Sequence, residues 1–221
     1  MELEYYIVYK PYQVLAQFKK DNPSQHSLLD LYDFPKGLIP IYPMDKDTEG
    51  LVLLTKDKTL SAFLHDAAYK ALSTFYVQVE GIPTRNELQL MQDLFIKIDN
   101  RYNCTIKRIT SLPEIPVRTP PIRYRKNVPT TWVSITVHER VSSKIRKVLA
   151  SCNYPVLRMI KYYHCRLNAM NMSNGEVLIL NKNDMYIGCG ITPPSKAAPH
   201  ISMPQRKNKF KKLKTKFVTK R

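Results

Sequence analysis

Three carboxylates, Asp45, Asp47 and Glu49, alternate along the chain, and Gly50 follows them directly before the apolar run Leu51-Val52-Leu53-Leu54-Thr55. Such a row could bind a cation, form an acid/base pair or supply a nucleophile. Asp-x-Asp-x-Glu-Gly is like the start of an EF-hand loop, but that loop needs a bidentate Glu at its twelfth position. Lys56 stands there, so calcium binding is not expected. A glycosidase pair needs two carboxyl groups held at a fixed separation, and side chains two apart on a tight turn have no such separation. Asp47 and Glu49 therefore read as a solvated turn that caps backbone groups. For Asp45 the residues alone leave a turn role and a catalytic role open. The glycine and the apolar run place that one acid at the mouth of a rigid strand, where a catalytic carboxylate can be held.

The rest of the chain must supply that scaffold. With 221 residues, 43% of them hydrophobic and 14 tyrosines, it can bury one good core or a core of two lobes. No apolar run approaches the length of a membrane span. The N-terminus carries Glu2 and Glu4 and lacks signal-peptide architecture, so a cytoplasmic location is expected. The net charge is +17; ten Lys or Arg and no acid lie within residues 191–221, leaving +7 on residues 1–190. A basic body with a more basic tail favours a polyanion, nucleic acid first, over a tail that only aids solubility. Cys104, Cys152, Cys165 and Cys189 include no CxxC pair, so buried thiols are expected and neither a metal site nor a disulfide.

Strands are expected at 5–9, 51–55, 75–80, 131–137, 156–163 and 176–180. A short helix fits 27–31, and a longer one fits 59–68, where Leu60, Phe63, Leu64 and Ala67 have helical spacing. Thr84 with Glu87 forms a capping box for a helix to about residue 95. Ser142 or Ser143 could cap another running to Ser151. Residues 99–130 are broken by prolines and resist assignment. Interspersed strands and helices without regular βαβ spacing give an α+β fold with a mixed, largely antiparallel sheet. Residues 1–190 are expected to form one domain of two sub-lobes flanking a basic cleft, and 191–221 a disordered basic tail.

The segment Pro43-Met44-Asp45-Lys46-Asp47-Thr48-Glu49-Gly50-Leu51 resembles the catalytic motif of the RsuA-type ribosomal RNA pseudouridine synthases. That pattern is Gly-Arg-Leu-Asp, two variable positions, Thr or Ser, then an apolar run. Tyr9-Lys10-Pro11 resembles the family's Asn-Lys-Pro, and Phe75-Tyr76-Val77-Gln78-Val79-Glu80-Gly81 its Tyr-containing strand. Pro120-Pro121-Ile122-Arg123 to Trp132, and Tyr154 to Tyr162, are similar to the large-subunit synthase E branch, which lacks an S4 domain. The resemblance covers about residues 4–180. It implies the pseudouridine synthase catalytic fold and isomerisation of a uridine to its C-glycoside, without a cofactor or metal, on a base flipped out of its helix. Asp45 takes the catalytic role. Phe75, Ile145, Arg146, Lys161, Lys10 and Thr48 fall at substrate-binding positions: Phe75 where the family has its tyrosine, Ile145 and Arg146 at the Ile/Val-Arg pair, Lys161 at the basic residue of Leu-x-Arg. Read alone, each of these is more often packing or surface charge. The implied partner is ribosomal RNA of the large subunit, free or in precursor particles, met by a monomer.

The sequence also departs from the pattern. Tyr42-Pro43 replaces Gly-Arg, removing the arginine that pairs with the aspartate, and Ser73 replaces a lysine two residues before the tyrosine position. Arg140-Val141-Ser142-Ser143-Lys144-Ile145-Arg146-Lys147 lacks the glycine and glutamine of Gly-x-x-x-Gln-Ile/Val-Arg-Arg. Lys46, Lys144 or Arg146 could restore the missing charge. The runner-up reading is a synthase-like RNA-binding protein of ribosome assembly with impaired catalysis, and a third is an RNA chaperone driven by its tail.

Overall fold

The computed structural model describes residues 4–66, 68–69, 71–100 and 103–193. Its strands and helices run β1 (Tyr5–Lys10), β2 (Val14–Leu15), β3 (His26–Ser27), β4 (Ile39–Ile41), β5 (Thr48–Thr55), α1 (Lys58–His65), β6 (Leu72–Glu80) and α2 (Arg85–Ile98). There follow β7 (Thr105–Arg108), β8 (Thr130–His138), α3 (Ile145–Ser151), β9 (Val156–His164), β10 (Leu167–Asn168), β11 (Val177–Leu180) and α4 (Lys182–Gly188). The main sheet has the order β11-β1-β5-β9-β6-β8-β7, with β4 added beside β5 and β10 beside β9. Every pairing in it is antiparallel except β5 with β9. The expected α+β fold with a mixed, mostly antiparallel sheet is the observed one.

Burial divides the sheet into two halves. β1 and β5 are buried along their whole lengths, because both of their faces are covered. One face packs Tyr5, Ile7, Leu51 and Leu53 against α1 and α4; the other packs Tyr6, Val8, Val52 and Leu54 against the segment from Val14 to Leu38. In β6 and β8, by contrast, buried and half-buried residues alternate. Phe75, Val77, Val79, Val133, Ile135 and Val137 face α2 and α3, leaving the other face of these strands more open. The halves meet where Thr48–Gly50 runs beside Met159–Lys161. Gly50 is required there: its φ is +101°, and a Cβ would lie 2.2 Å from the Lys161 carbonyl oxygen.

Most of the expected elements are present, with the strands within a few residues of their expected ends. The Thr84–Glu87 capping box closes in both directions, at 2.8 and 3.4 Å. The helix expected to start at Ser142 or Ser143 does not. Residues Glu139–Lys144 form a 3-10 turn directly off β8, because His138 Nδ1 accepts from the Arg140 N–H at 3.3 Å, and α3 starts only at Ile145. α4, capped by Asn181, was not expected, since seven residues carry too little periodicity to read. Of the basic tail, residues 194–221 lie outside the described residues. Among the described residues no helix is long and apolar enough to cross a membrane.

Candidate active site

Asp45 lies three residues before β5, with its side chain exposed. The turn that carries it closes through the Thr48 N–H, which donates to the Asp45 carbonyl at 3.0 Å. Three other parts of the chain hold this turn. Gln13, in the left-handed region at φ +63°, donates its N–H to the Lys46 carbonyl at 2.8 Å and its side-chain amide to Asp47 Oδ1 at 2.6 Å. Lys10, at the end of β1, donates to the carbonyls of Val14, Pro11 and Lys46 at 2.7, 3.1 and 3.2 Å. Arg146, on α3, donates to the Asp47 carbonyl at 2.7 Å. A loop that would otherwise move is thus bolted to β1 and α3, which leaves the Asp45 carboxylate free but fixed in place.

Of the cations that could restore the missing charge, Arg146 is bonded to the turn that carries Asp45, through the Asp47 carbonyl. Burial works against its charge, while the carboxylates of Asp47 and Asp45 favour it, so the guanidinium shares a local field with both acids. Lys144 is exposed and lines a groove with Lys97 and Lys147, beside α2 instead. Burial also pushes the Lys10 ammonium down to about 7, opposed by Glu49, Asp47 and Asp45. Its three carbonyl acceptors match the three protons of the charged form.

The other expected site residues gather behind the turn. Phe75 is the ladder partner of Lys161, and Lys161 that of Gly50. Phe75 and Ile145 belong to one core cluster and are 1% and 0% exposed. Thr48 opens β5, and its buried Oγ1 has no partner among the described residues. The expectation of direct substrate contact is corrected for Phe75, Ile145 and Thr48, which are buried among packed neighbours, and for the two lysines. Lys10 is fully buried with its donors used on backbone, so it positions the loop. Lys161 is equally buried and pairs with Glu139 Oε1 at 2.7 Å. Burial alone would raise the Glu139 carboxyl, but Lys161 and His164 outweigh it and hold it down at about 2.

Glu49 is a further correction. It is not a solvated turn residue: it is 1% exposed and takes a bidentate ion pair from Arg158, at 2.8 and 2.7 Å. On a strand, Thr48 and Gly50 flank it, so its burial follows from both faces of β5 being covered. Asp47 does sit in the turn, bonded to Gln13. Gln13, Glu139, Arg158 and Arg118 were missed. Arg118 stacks on Tyr12, its Cζ 3.6 Å from the ring centroid, and acts electrostatically on Arg146. Its segment is proline-rich and without period, so no sequence signal marks it. All four cysteines are free thiols, Cys104 and Cys189 buried, Cys152 and Cys165 half-buried.

The arrangement is an exposed carboxylate on a turn that a half-buried guanidinium ties to α3. It can deliver a carboxylate oxygen to an electrophilic or acidic carbon of a bound polyanion. Residues 4–151 match the family model described as RNA pseudouridylate synthase. The chain is 34% identical over 153 residues to a ribosomal large subunit pseudouridine synthase E of Vibrio parahaemolyticus, a stretch covering 69% of this chain and 63% of that protein. It is 34% identical over 154 residues to the protein of the same name in Xanthomonas campestris, covering 69% and 82%. A crystal structure described as a pseudouridylate synthase superposes with a TM-score of 0.58 at 17% identity, covering 83% of this chain and 73% of that one, a likeness of fold.

Proposed function

The chain belongs to the RNA pseudouridylate synthase family, and on that premise we propose that it isomerises a uridine of large-subunit ribosomal RNA to pseudouridine, with Asp45 as the acting carboxylate. The observation that carries this reading is the turn itself. One exposed acid sits on a turn that Gln13, Lys10 and Arg146 hold through the Lys46 and Asp47 carbonyls.

The chemistry is redox-neutral. The N1–C1′ bond breaks, the uracil turns, and C5 bonds to C1′. The proton on C5 is then lost and N1 gains one, so atoms balance without a cofactor. Asp45 serves either as the nucleophile at C1′ or as the base that takes a proton from C2′ on a route through a glycal. Both routes need an ionised carboxylate near an extruded nucleotide. Arg146 supports turnover over the runner-up reading of binding alone, since it brings a cation to the turn that carries Asp45. Phe75, Ile145, Lys10, Lys161 and Thr48 are buried and support the turn and β5 from within. The substrate is free RNA or a ribosomal precursor, met by a monomer in the cytoplasm.

The test uses ribosomal RNA labelled with tritium at uridine C5, taken from a strain lacking this gene. Wild-type protein releases tritium from one site and Asp45→Ala releases none, while both bind the RNA alike. Equal release by Asp45→Ala would reject the assignment. No release by either protein would reject turnover.

A further inference from the structure

The segment before β8 is anchored at both ends and projects between them. Arg158 Nη2 and Asn174 Nδ2 donate to the carbonyls of Pro116 and Val117, each at 2.7 Å, and the Gly81 N–H donates to the Pro129 carbonyl at 2.7 Å. Between these anchors runs Arg123-Tyr124-Arg125-Lys126. It forms one wall of an open groove of about 490 Å³ whose opposite wall includes Gln78 and Glu80 on the open side of β6. Arg125 spans to Glu80 at 2.8 Å and fixes the wall. Tyr124 is 84% exposed, and Arg123 and Lys126 are exposed with no ion pair among the described residues. Nothing in the isomerisation site uses these groups.

Leu157 and Arg118 link the groove toward Arg146. Leu157 lines the groove, and its carbonyl accepts from Arg118 Nη1 at 2.9 Å. Arg118 lies over Tyr12 and is close enough to Arg146 for the two cations to oppose each other. Each of these guanidinium groups has a buried Nε with no partner among the described residues. Two facing cations with free donors cost energy unless an anion lies between them, and phosphate satisfies their planar donor geometry. The positive groups then form a track: Arg146, Arg118, and the rim at Arg123 and Lys126.

We infer that this groove is a second nucleotide-binding site, which takes an unpaired nucleotide of the substrate strand near the reacting uridine. Tyr124 stacks on its base, Arg123 and Lys126 hold its phosphates, and Arg118 holds an intervening phosphate beside Arg146. Charge selects RNA over a protein partner: the rim is cationic, and the exposed ring offers the sequence-tolerant stacking that single strands use. The inference rests on RNA as the substrate but not on turnover.

The full chain is titrated with a fluorescent single-stranded RNA across a range of salt, and variants are compared with wild type because the tail binds equally in all of them. Tyr124→Ala is expected to weaken binding about tenfold with an unchanged salt slope, and Tyr124→Phe to bind like wild type. Arg123→Ala with Lys126→Ala flattens the slope by about 0.7 per lost phosphate contact. These side chains are exposed, so the variants fold, which circular dichroism verifies. Wild-type affinity and slope in both Tyr124→Ala and the double variant would overturn the inference. Weakened binding beside a wild-type protein that forms no pseudouridine would uphold the groove and reject the isomerase reading.

Discussion

Glu49→Gln isolates what holds the catalytic turn from behind. The substitution keeps the shape of the side chain and removes its charge. In the native protein Glu49 and Arg158 are 1% and 8% exposed at their side chains, and two bonds of 2.8 and 2.7 Å join them. Removing one partner of a buried pair leaves the other charge without compensation, which costs about 3–5 kcal/mol. The glutamine oxygen can still accept one guanidinium bond, so about 3 kcal/mol is expected for Gln and the upper end for Ala. Arg158 also holds the Pro116 carbonyl, so the strain should spread to the Arg118 segment. Urea unfolding at neutral pH measures the loss as a lowered midpoint with unchanged slope. A cycle with Arg158→Met tests the pairing, because the double variant no longer buries an unmatched charge. Its cost should fall short of the summed single costs by about 2 kcal/mol or more. A loss below about 1 kcal/mol for Glu49→Gln, or strictly additive singles, would refute the claim that this pair is a buried, mutually dependent unit.

Three other substitutions separate the parts of the site. Arg146→Met should lower kcat by at least about tenfold, since the guanidinium bond to the Asp47 carbonyl that holds the turn is lost; wild-type kcat would count against Arg146 as a support of the turn. Phe75→Leu keeps most of the packing volume and should cost under about 1.5 kcal/mol of stability while leaving kcat/KM for RNA near wild type, because the ring is buried in the core; a large loss of kcat/KM in a stably folded variant would place the ring at the substrate. Glu139→Gln tests the buried network through pH. The Glu139 carboxyl falls from its ordinary 4.5 to about 2, so its stabilisation is present above 4.5 and fades as pH drops toward 2. The stability gap between wild type and Glu139→Gln should therefore narrow across that window, and a constant gap would contradict the ion pair with Lys161.

Much of the fold was legible because its strands are long and their burial is one-sided or complete. β6 alternates over nine residues and β5 carries a continuous apolar run, and both patterns have direct physical meaning. The two-residue strands, β7 and α4 are too short for a period to emerge. At the site, Asp45 was singled out by the resemblance of its motif, because its place before a glycine and an apolar run left a turn role open as well. Glu49, two residues further on, was not, because a carboxylate in an acidic row looks like surface until its partner is known, and Arg158 lies 109 residues away. Lys10 and Lys161 were read as substrate contacts because they fall at basic positions of the motifs that the sequence resembles. Their burial becomes visible only with the acceptors, three backbone carbonyls for one and Glu139 for the other. Arg118 had no local signal, because its position depends on anchors supplied by β9 and by the loop before β11.

The departures from the family pattern are connected in space. Tyr42 stands where the pattern has glycine, and its backbone takes φ +56°, a region that costs a residue with a side chain about 1–2 kcal/mol. The ring offsets that cost. Its hydroxyl donates to the Leu64 carbonyl, its face lies 5.0 Å from the His65 ring and 5.3 Å from that of His164, and the Lys161 ammonium sits 5.5 Å over it. Ser73, in place of a lysine, bonds both Glu139 and His164 Nδ1. Glu139 in turn carries Lys161. A lysine at 73 would add a second ammonium to a buried carboxylate already paired with one, and a glycine at 42 would remove the ring that covers Lys161. The substitutions at 42 and 73 therefore belong to one repacked network of Tyr42, Ser73, Glu139, Lys161 and His164, in which each change makes the other tolerable. Arg146 lies outside that network, on α3, and so the cation bonded to the turn that carries Asp45 is supplied independently of it. Lost motif residues around a catalytic acid do not by themselves imply lost chemistry when the field at the acid comes from a different element.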